Sequence, residues 1–372
     1  KFGAGDMKAM RQTVGGAAVL TTIVTIILTT LGLLFMKPLL IFMKTPSDIF
    51  KDAYAYIMII CAGIAAQMLY NLMASILRAL GNSKVPLYFL ILSALLNIVL
   101  DLLLIIVFGL GASGAAYATV IAQGISGLLC LVYVKLKVPL LHLERDDWRP
   151  KGYLLKMQFA VGVPMALQYS ITAIGTMMVQ TSQNLLGSNI VAAFTAASKI
   201  EQVVTQAYVA LGTTMATYCA QNIGAGKIKR IRKGFKSATI MASIYAVVTA
   251  ALIMTVGKYM TYLFVSDNVI EIMSNVDIYL KCIGVFFIPL AIVNLYRNGI
   301  QGMGYGLLPM MAGVAELIGR GVVAVIAANK RSYFGVCMAS PAAWVLAGGL
   351  LLVMYYYIML KDMKRKFPNR TE

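Results

Sequence analysis

Asp101 is the residue whose chemistry most needs an explanation. It stands inside Asn97-Ile98-Val99-Leu100-Asp101-Leu102-Leu103-Leu104-Ile105, with apolar neighbours on both sides. Inserting an Asp at the centre of a membrane helix costs about 2.5–3.5 kcal/mol on translocon scales, and a lipid-facing position leaves that cost unrelieved. Asn97 lies four residues earlier, on the same helical face. Oxygens grouped in this way suit a hard monovalent cation, and the carboxylate can alternatively carry a proton. The competing reading is that Asp101 ties helices together or sits near the outer end of its run.

Other polar side chains interrupt apolar runs. Glu316 and Arg320 are spaced i,i+4, which favours an internal ion pair that cancels two charges. Gln168, Gln180, Gln183, Asn184, Gln202 and Gln206 recur between 155 and 219. They could line a cavity that binds varied ligands, aided by the adaptable surface of 23 Met residues; helix–helix hydrogen bonding explains them equally well. Lys199 and Glu201 begin or punctuate a run, and Lys281 could extend its amine outward. Pro164 and Pro289 are expected to bend their helices.

The elements that must position these residues are apolar helices. Apolar residues make up 60% of the 372 and charged residues 12%, a balance that a water-soluble fold cannot hide. Ten runs, at 14–35, 53–77, 87–108, 114–134, 155–186, 189–219, 238–264, 276–299, 308–328 and 342–360, each reach the length a helix needs to cross a bilayer. The short alternating segments of a membrane barrel are missing from the sequence. The net charge of +18 could indicate nucleic acid, but its placement indicates membrane orientation. Of 32 basic residues, 23 fall in every second connection: Lys1, Lys8 and Arg11; Arg78 and Lys84; six from Lys135 to Lys156; six from Lys227 to Lys236; Arg297; and five from Lys361 to Arg370. The alternate connections hold Lys37, Lys44, Lys51, Lys199, Lys258, Lys330 and Arg331. The rich set, and both ends of the chain, are therefore expected in the cytoplasm.

Several enzymatic motifs fail on inspection. Gly109-Leu110-Gly111-Ala112-Ser113-Gly114 fits a dinucleotide pattern but bridges two apolar runs without a preceding strand. Ser126 has no base on a helix, because the one histidine, His142, falls in the polar connection. Asp146-Asp147 lacks a second acidic cluster for Mg²⁺, and no phosphate-binding Lys loop exists for ATP. Cys61, Cys130, Cys219, Cys282 and Cys337 lack metal spacing and read as small buried hydrophobes.

An internal repeat organises the chain. Phe2-Gly3-Ala4-Gly5 with Lys8 and Arg11 recurs as Ile223-Gly224-Ala225-Gly226 with Lys229 and Arg232, 221 positions later. Met43-Lys44-Thr45 meets Phe264-Val265-Ser266 at the same offset. Asn71-Leu72, Gly81 and Pro86 meet Asn294-Leu295, Gly304 and Pro309 at 223. Six runs separate the two Gly-Ala-Gly loops, so the repeats are expected to be parallel, related by an axis along the membrane normal. The second repeat carries two runs ahead of its loop and the first carries none. About seventy residues, the stretch that Leu155 to Gly224 occupies in the second repeat, are expected to precede Lys1 in the complete protein.

These motifs, in this order, resemble the multidrug and toxic compound extrusion (MATE) family of cation-coupled exporters. The likeness rests on both Gly-Ala-Gly loops, the second preceded by Ala220-Gln221-Asn222. It continues in Ile76-Leu77-Arg78-Ala79-Leu80-Gly81 with Pro86, Asn97-Ile98-Val99-Leu100-Asp101, and Gly111-Ala112-Ser113-Gly114-Ala115-Ala116 with Thr119. Gly162-Val163-Pro164 and Gln301-Gly302-Met303-Gly304 complete it. The resemblance implies an all-α membrane protein of two six-helix lobes, about ten of the expected twelve helices being present here. It divides the chain into a first lobe at 1–134, a cytoplasmic linker at 135–154, a second lobe at 155–360 and a basic tail at 361–372. It also implies efflux of organic, often cationic and amphipathic compounds by antiport with Na⁺ or H⁺, in the cell (inner) membrane. The protein is expected to act as a monomer among lipids, without a cofactor, nucleic acid or enzymatic activity. In the branch with a first-lobe ion site, Asn97 and Asp101 match that site and Thr119 matches a Thr on the following helix. The other branch uses second-lobe acids, where this chain has Thr172, Leu290 and Asn294. Flipping of a lipid-linked carrier, and an inactive truncated fragment, are the alternatives.

Overall fold

The computed structural model describes residues 1–42, 45, 47–149, 151–263 and 269–366. Met43, Lys44, Phe264, Val265, Ser266 and Arg370, used above in the repeat and the charge count, lie outside the described residues. Among those described the chain is helical, with no strand. It divides into two compact units, one of residues 1–2 and 6–156, the other of residues 3–5 and 157–372.

The first unit contains α1 (Met7–Phe42), α2 (Ser47–Ala62), α3 (Ile64–Ala79), α4 (Lys84–Asp101) and α5 (Gly111–Lys137). The second contains α6 (Gly152–Asn184, from Met157 onward), α7 (Ser188–Gly224), α8 (Ile228–Thr255), α9 (Val269–Gly284), α10 (Phe287–Gly302) and α11 (Leu307–Asn329). The short α12 (Tyr333–Cys337) and α13 (Ala339–Tyr357) follow. Among the described residues seven stretches are long and apolar enough to cross a membrane, and two bent pairs, α2 with α3 and α9 with α10, bring the number to nine if each pair is one span. α7, at 37 residues, has the length but carries Lys199, Glu201, Gln202 and Gln206. The described parts of the ten runs thus fall mostly on helix, two of them crossing the bends at Gly63 and Val285-Phe286, while their apolarity is uneven.

Small residues set the packing. Hydrocarbon gives no hydrophobic drive for helices to associate, so close backbone approach and dispersion must supply it. α5 turns a buried stripe at every fourth position, Gly114, Ala118, Ala122, Ser126, Cys130 and Val134, against its neighbours α3 and α4. A Cβ on Gly127 would come within 3.0 Å of the Tyr70 backbone nitrogen. α8 does the same with Ala238, Ala242 and Ala246. Large apolar side chains point outward instead, as Ile23, Ile26 and Ile27 do on α1, which suits a lipid surround.

The repeat is written into the backbone. Gly5 and Gly226 both hold φ near +70°, at +72° and +69°. Gly81 and Gly304 also pair, at +88° and +93°. These left-handed turns exclude a Cβ at modest cost only for glycine. The bends recur as well: α2 meets α3 at 45°, α9 meets α10 at 54°, and the breaks, at Gly63 and at Val285-Phe286, again fall about 222 residues apart.

α6 runs as a single helix that contains Pro164. One sequence expectation about helix shape needs correction. Pro289 stands in the first turn of α10, where the missing N–H has no intrahelical partner to lose, so the bend lies ahead of it rather than at it.

The polar connection after α5 belongs to the first unit. Arg11 on α1 donates from Nε to Asp147 Oδ2 at 3.0 Å and lies 3.6 Å from Glu144. Asp147 also accepts from the Glu144 backbone N–H at 3.0 Å, and a Cβ on Gly15 would collide with the Asp147 carbonyl.

Candidate functional site

In the first unit, α4 presents Asn97 and Asp101 one turn apart, and α5 packs alongside to present Thr119. The Asn97 amide nitrogen donates to Thr119 Oγ1 at 3.4 Å, and that hydroxyl donates to the Ala115 carbonyl at 3.0 Å. Asn97 thereby commits an amide proton and not its amide oxygen. Asp101 is half-buried, and its Oδ1 is out of contact with water and has no hydrogen-bond partner. Two of the three sequence candidates are therefore joined directly, and the third stands on the same helical face with an orphaned carboxylate oxygen. At Asp101 the α-helix also gives way to a π-helical segment, Leu102–Val107; such widened turns in helices recur at functional sites because they re-aim side chains. A buried carboxylate oxygen with no donor is costly unless a proton or cation completes it. Carboxylate, amide oxygen and hydroxyl are hard donors suited to Na⁺.

The second unit encloses a cavity of about 340 Å³. Of the glutamines expected there, Gln180, Gln183 and Gln202 line it. Gln168 does not: its side chain is 3% exposed and accepts a hydrogen bond from Gln301 at 2.9 Å, tying α6 to α10. Asn184 accepts from Gln180 at 3.3 Å outside the lining, and Gln206 is exposed elsewhere. Asn294 and Leu290 both face this cavity.

The sequence leaves Glu201 undecided, together with Lys199 and Lys281. Glu201 falls about a third of the way along α7, lines the cavity, and accepts a hydrogen bond from the Tyr279 hydroxyl at Oε2 over 2.5 Å. The signal that could have found it is the one that found Asp101, an acid within a membrane-length helix. Arg320 lines the same cavity and pairs with Glu316 at 2.9 Å, as the i,i+4 spacing predicts. The sequence did not show the third member: Arg297 holds the other Glu316 oxygen at 2.6 Å. Arg297, counted above with the cytoplasmic connections, is within α10 with its side chain 13% exposed, so it serves the ion triad and is no marker of orientation. No group of three or more metal-ligating His, Cys, Asp or Glu side chains occurs among the described residues.

The MatE family model matches residues 1–103 and 160–326. The chain belongs to this family. MatE relatives include the probable multidrug resistance protein YpnP of Bacillus subtilis, 34% identical over 312 residues, covering 83% of this chain and 68% of that protein. The probable multidrug resistance protein YoeA of the same organism is 26% identical over 366 residues, covering 96% and 78%. A MATE crystal structure in complex with MaL6 matches the fold at a TM-score of 0.92 with 21% identity, over 98% of this chain and 82% of that one. MatE proteins are membrane transporters and not enzymes, and the helical architecture described above is theirs.

Proposed function

We propose that this MatE protein exports small organic compounds, amphipathic and often cationic, by antiport with Na⁺ or H⁺, and that Asp101, Asn97 and Thr119 hold the coupling cation. The observation that carries the coupling site is the orphaned Oδ1 of Asp101 beside the Asn97–Thr119 contact. A carboxylate oxygen kept from water and left without a donor is stabilised when a cation or proton reaches it, so occupancy changes the energy of the surrounding helices. Efflux is supported by the names of relatives such as YpnP, a probable multidrug resistance protein. The second-unit cavity supplies a place for substrate: Gln180, Gln183 and Gln202 offer hydrogen bonds of either sense, and Trp344 and Phe194 offer flat apolar surface. Glu201 and Arg320 face it together, which leaves it balanced in charge and open to amphipathic compounds of varied structure. The distribution of Lys and Arg supports a cell-membrane orientation with both ends of this chain in the cytoplasm.

The test is gradient-driven transport in proteoliposomes. Asp101→Asn retains the shape and removes the charge. Its efflux should no longer respond to an imposed Na⁺ or H⁺ gradient, while its yield in the membrane matches wild type. Gradient-driven efflux at the wild-type rate in this variant would reject the coupling assignment.

A further inference from the structure

A second groove, of about 490 Å³, opens on the second unit beside the start of α8. Its floor is aromatic. Phe235 lies 4.9 Å from Tyr296 and 4.5 Å from Tyr355 between ring centroids, and Tyr296 meets Tyr355 edge-on at 5.1 Å. Its rim is basic, with Arg232 and Lys236 one turn apart. Among the described residues no carboxylate pairs with either; Arg232 donates to the Met359 carbonyl at 3.2 Å, an interaction that leaves its charge uncompensated. Among the described residues no acidic side chain lines the groove. The one acid on the adjoining segment, Asp362, is occupied by Tyr305, Lys366 and Arg365.

Polarity changes along the groove in one direction. The basic pair belongs to the first turns of α8, and Ile240, also in the lining, follows one turn deeper. Beyond the groove the outer face of α8 continues with Ile244, Val247, Val248 and Leu252, all more than half exposed. An occupant must therefore carry negative charge at one end and a long apolar chain at the other. We infer that this groove is a binding site for one anionic glycerophospholipid, its phosphate held by Arg232 and Lys236 and an acyl chain laid along Ile240 and the outer face of α8. Placement in the cytoplasmic leaflet rests on the orientation proposed above; the site itself does not depend on the coupling assignment. Basic pockets between membrane helices near the cytoplasmic surface have the charge and the depth that such headgroups require.

Native mass spectrometry of the full chain with phosphatidylglycerol and phosphatidylcholine tests this. Wild type should retain phosphatidylglycerol in preference to phosphatidylcholine. R232Q/K236Q should weaken phosphatidylglycerol about thirtyfold, the loss of about 2 kcal/mol, because both direct contacts to the phosphate are removed. Phosphatidylcholine should be unchanged. K227Q/K229Q, which removes the same charge from outside the groove, should leave phosphatidylglycerol binding intact. Ile240→Trp fills the groove without touching charge and should also displace the lipid, which keeps the test decisive if the double variant folds poorly. Soluble glycerol phosphate at millimolar concentration should not compete. Equal retention of the two lipids by wild type, equal loss in the two charge variants, unaltered binding in Ile240→Trp, or displacement by glycerol phosphate would each overturn the assignment.

Discussion

At the scale of single residues, buried charge decides what the chain can do. Asp101 was legible in the sequence because a carboxylate amid leucines costs several kcal/mol and must be compensated. Asn97 followed from helical geometry, and Thr119 only from family likeness; the structure joins Asn97 to Thr119 at 3.4 Å. Thr119→Val keeps the shape and removes an oxygen. If Thr119 contributes to cation binding, the cation concentration that half-saturates transport should rise roughly tenfold, the loss of about 1.4 kcal/mol, with maximal rate nearly preserved. Cation titration of transport in proteoliposomes checks this, and an unchanged half-saturation point would remove Thr119 from the site. The role of Glu201 stayed undecided in the sequence because α7 is polar enough that a charged residue there resembled the edge of a span. Only the three-dimensional arrangement, with Tyr279 donating to its carboxylate, shows it facing a cavity.

At the scale of elements, the sequence shows pairs along one helix and hides partners across helices. Glu316 and Arg320 announce themselves by spacing, whereas Arg297, nineteen residues before Glu316, joins them only when α10 packs near α11. Glu316→Gln would leave the buried Arg320 and the partly buried Arg297 sharing no carboxylate. Removal of one partner from a buried ion group typically destabilises by about 3–5 kcal/mol. The expected result is a clear fall in thermal midpoint in detergent, whereas Lys281→Gln, which breaks the exposed pair with Asp277, should shift it little. Similar midpoints for both variants would contradict the stabilising role of the triad. The small-residue stripe of α8 makes a parallel claim about shape. Ala242, 3% exposed, has no room for a larger side chain, so Ala242→Leu should cost about 1–3 kcal/mol through overpacking, again read as a lower midpoint. The bend at Gly63 was not legible because a lone glycine in an apolar run gives no clear signal, and the bend at Val285-Phe286 was misplaced onto Pro289, which a first helical turn tolerates.

At the scale of the whole chain, duplication was the most readable feature. Glycines recurring 221 and 223 positions apart identified the repeat, and the structure gives each pair the same left-handed backbone. The repeated bend lies in the same register. Gly81→Ala and Gly304→Ala should therefore each destabilise, by about 1–2 kcal/mol from the left-handed conformation alone, and by similar amounts because the turns are equivalent. Thermal unfolding of the two single variants tests that equivalence; a neutral outcome for either would show that its turn can relax and that the two copies differ.

The central claim is that Asp101 is neutralised by a bound cation or proton, and infrared difference spectroscopy addresses that carboxylate directly. Addition of Na⁺, or a step to acid pH, should shift or protonate one carboxylate band in wild type, and that difference should vanish in Asp101→Asn. The same difference band in both proteins would mean that the coupling ion binds elsewhere, which would contradict the role assigned to Asp101.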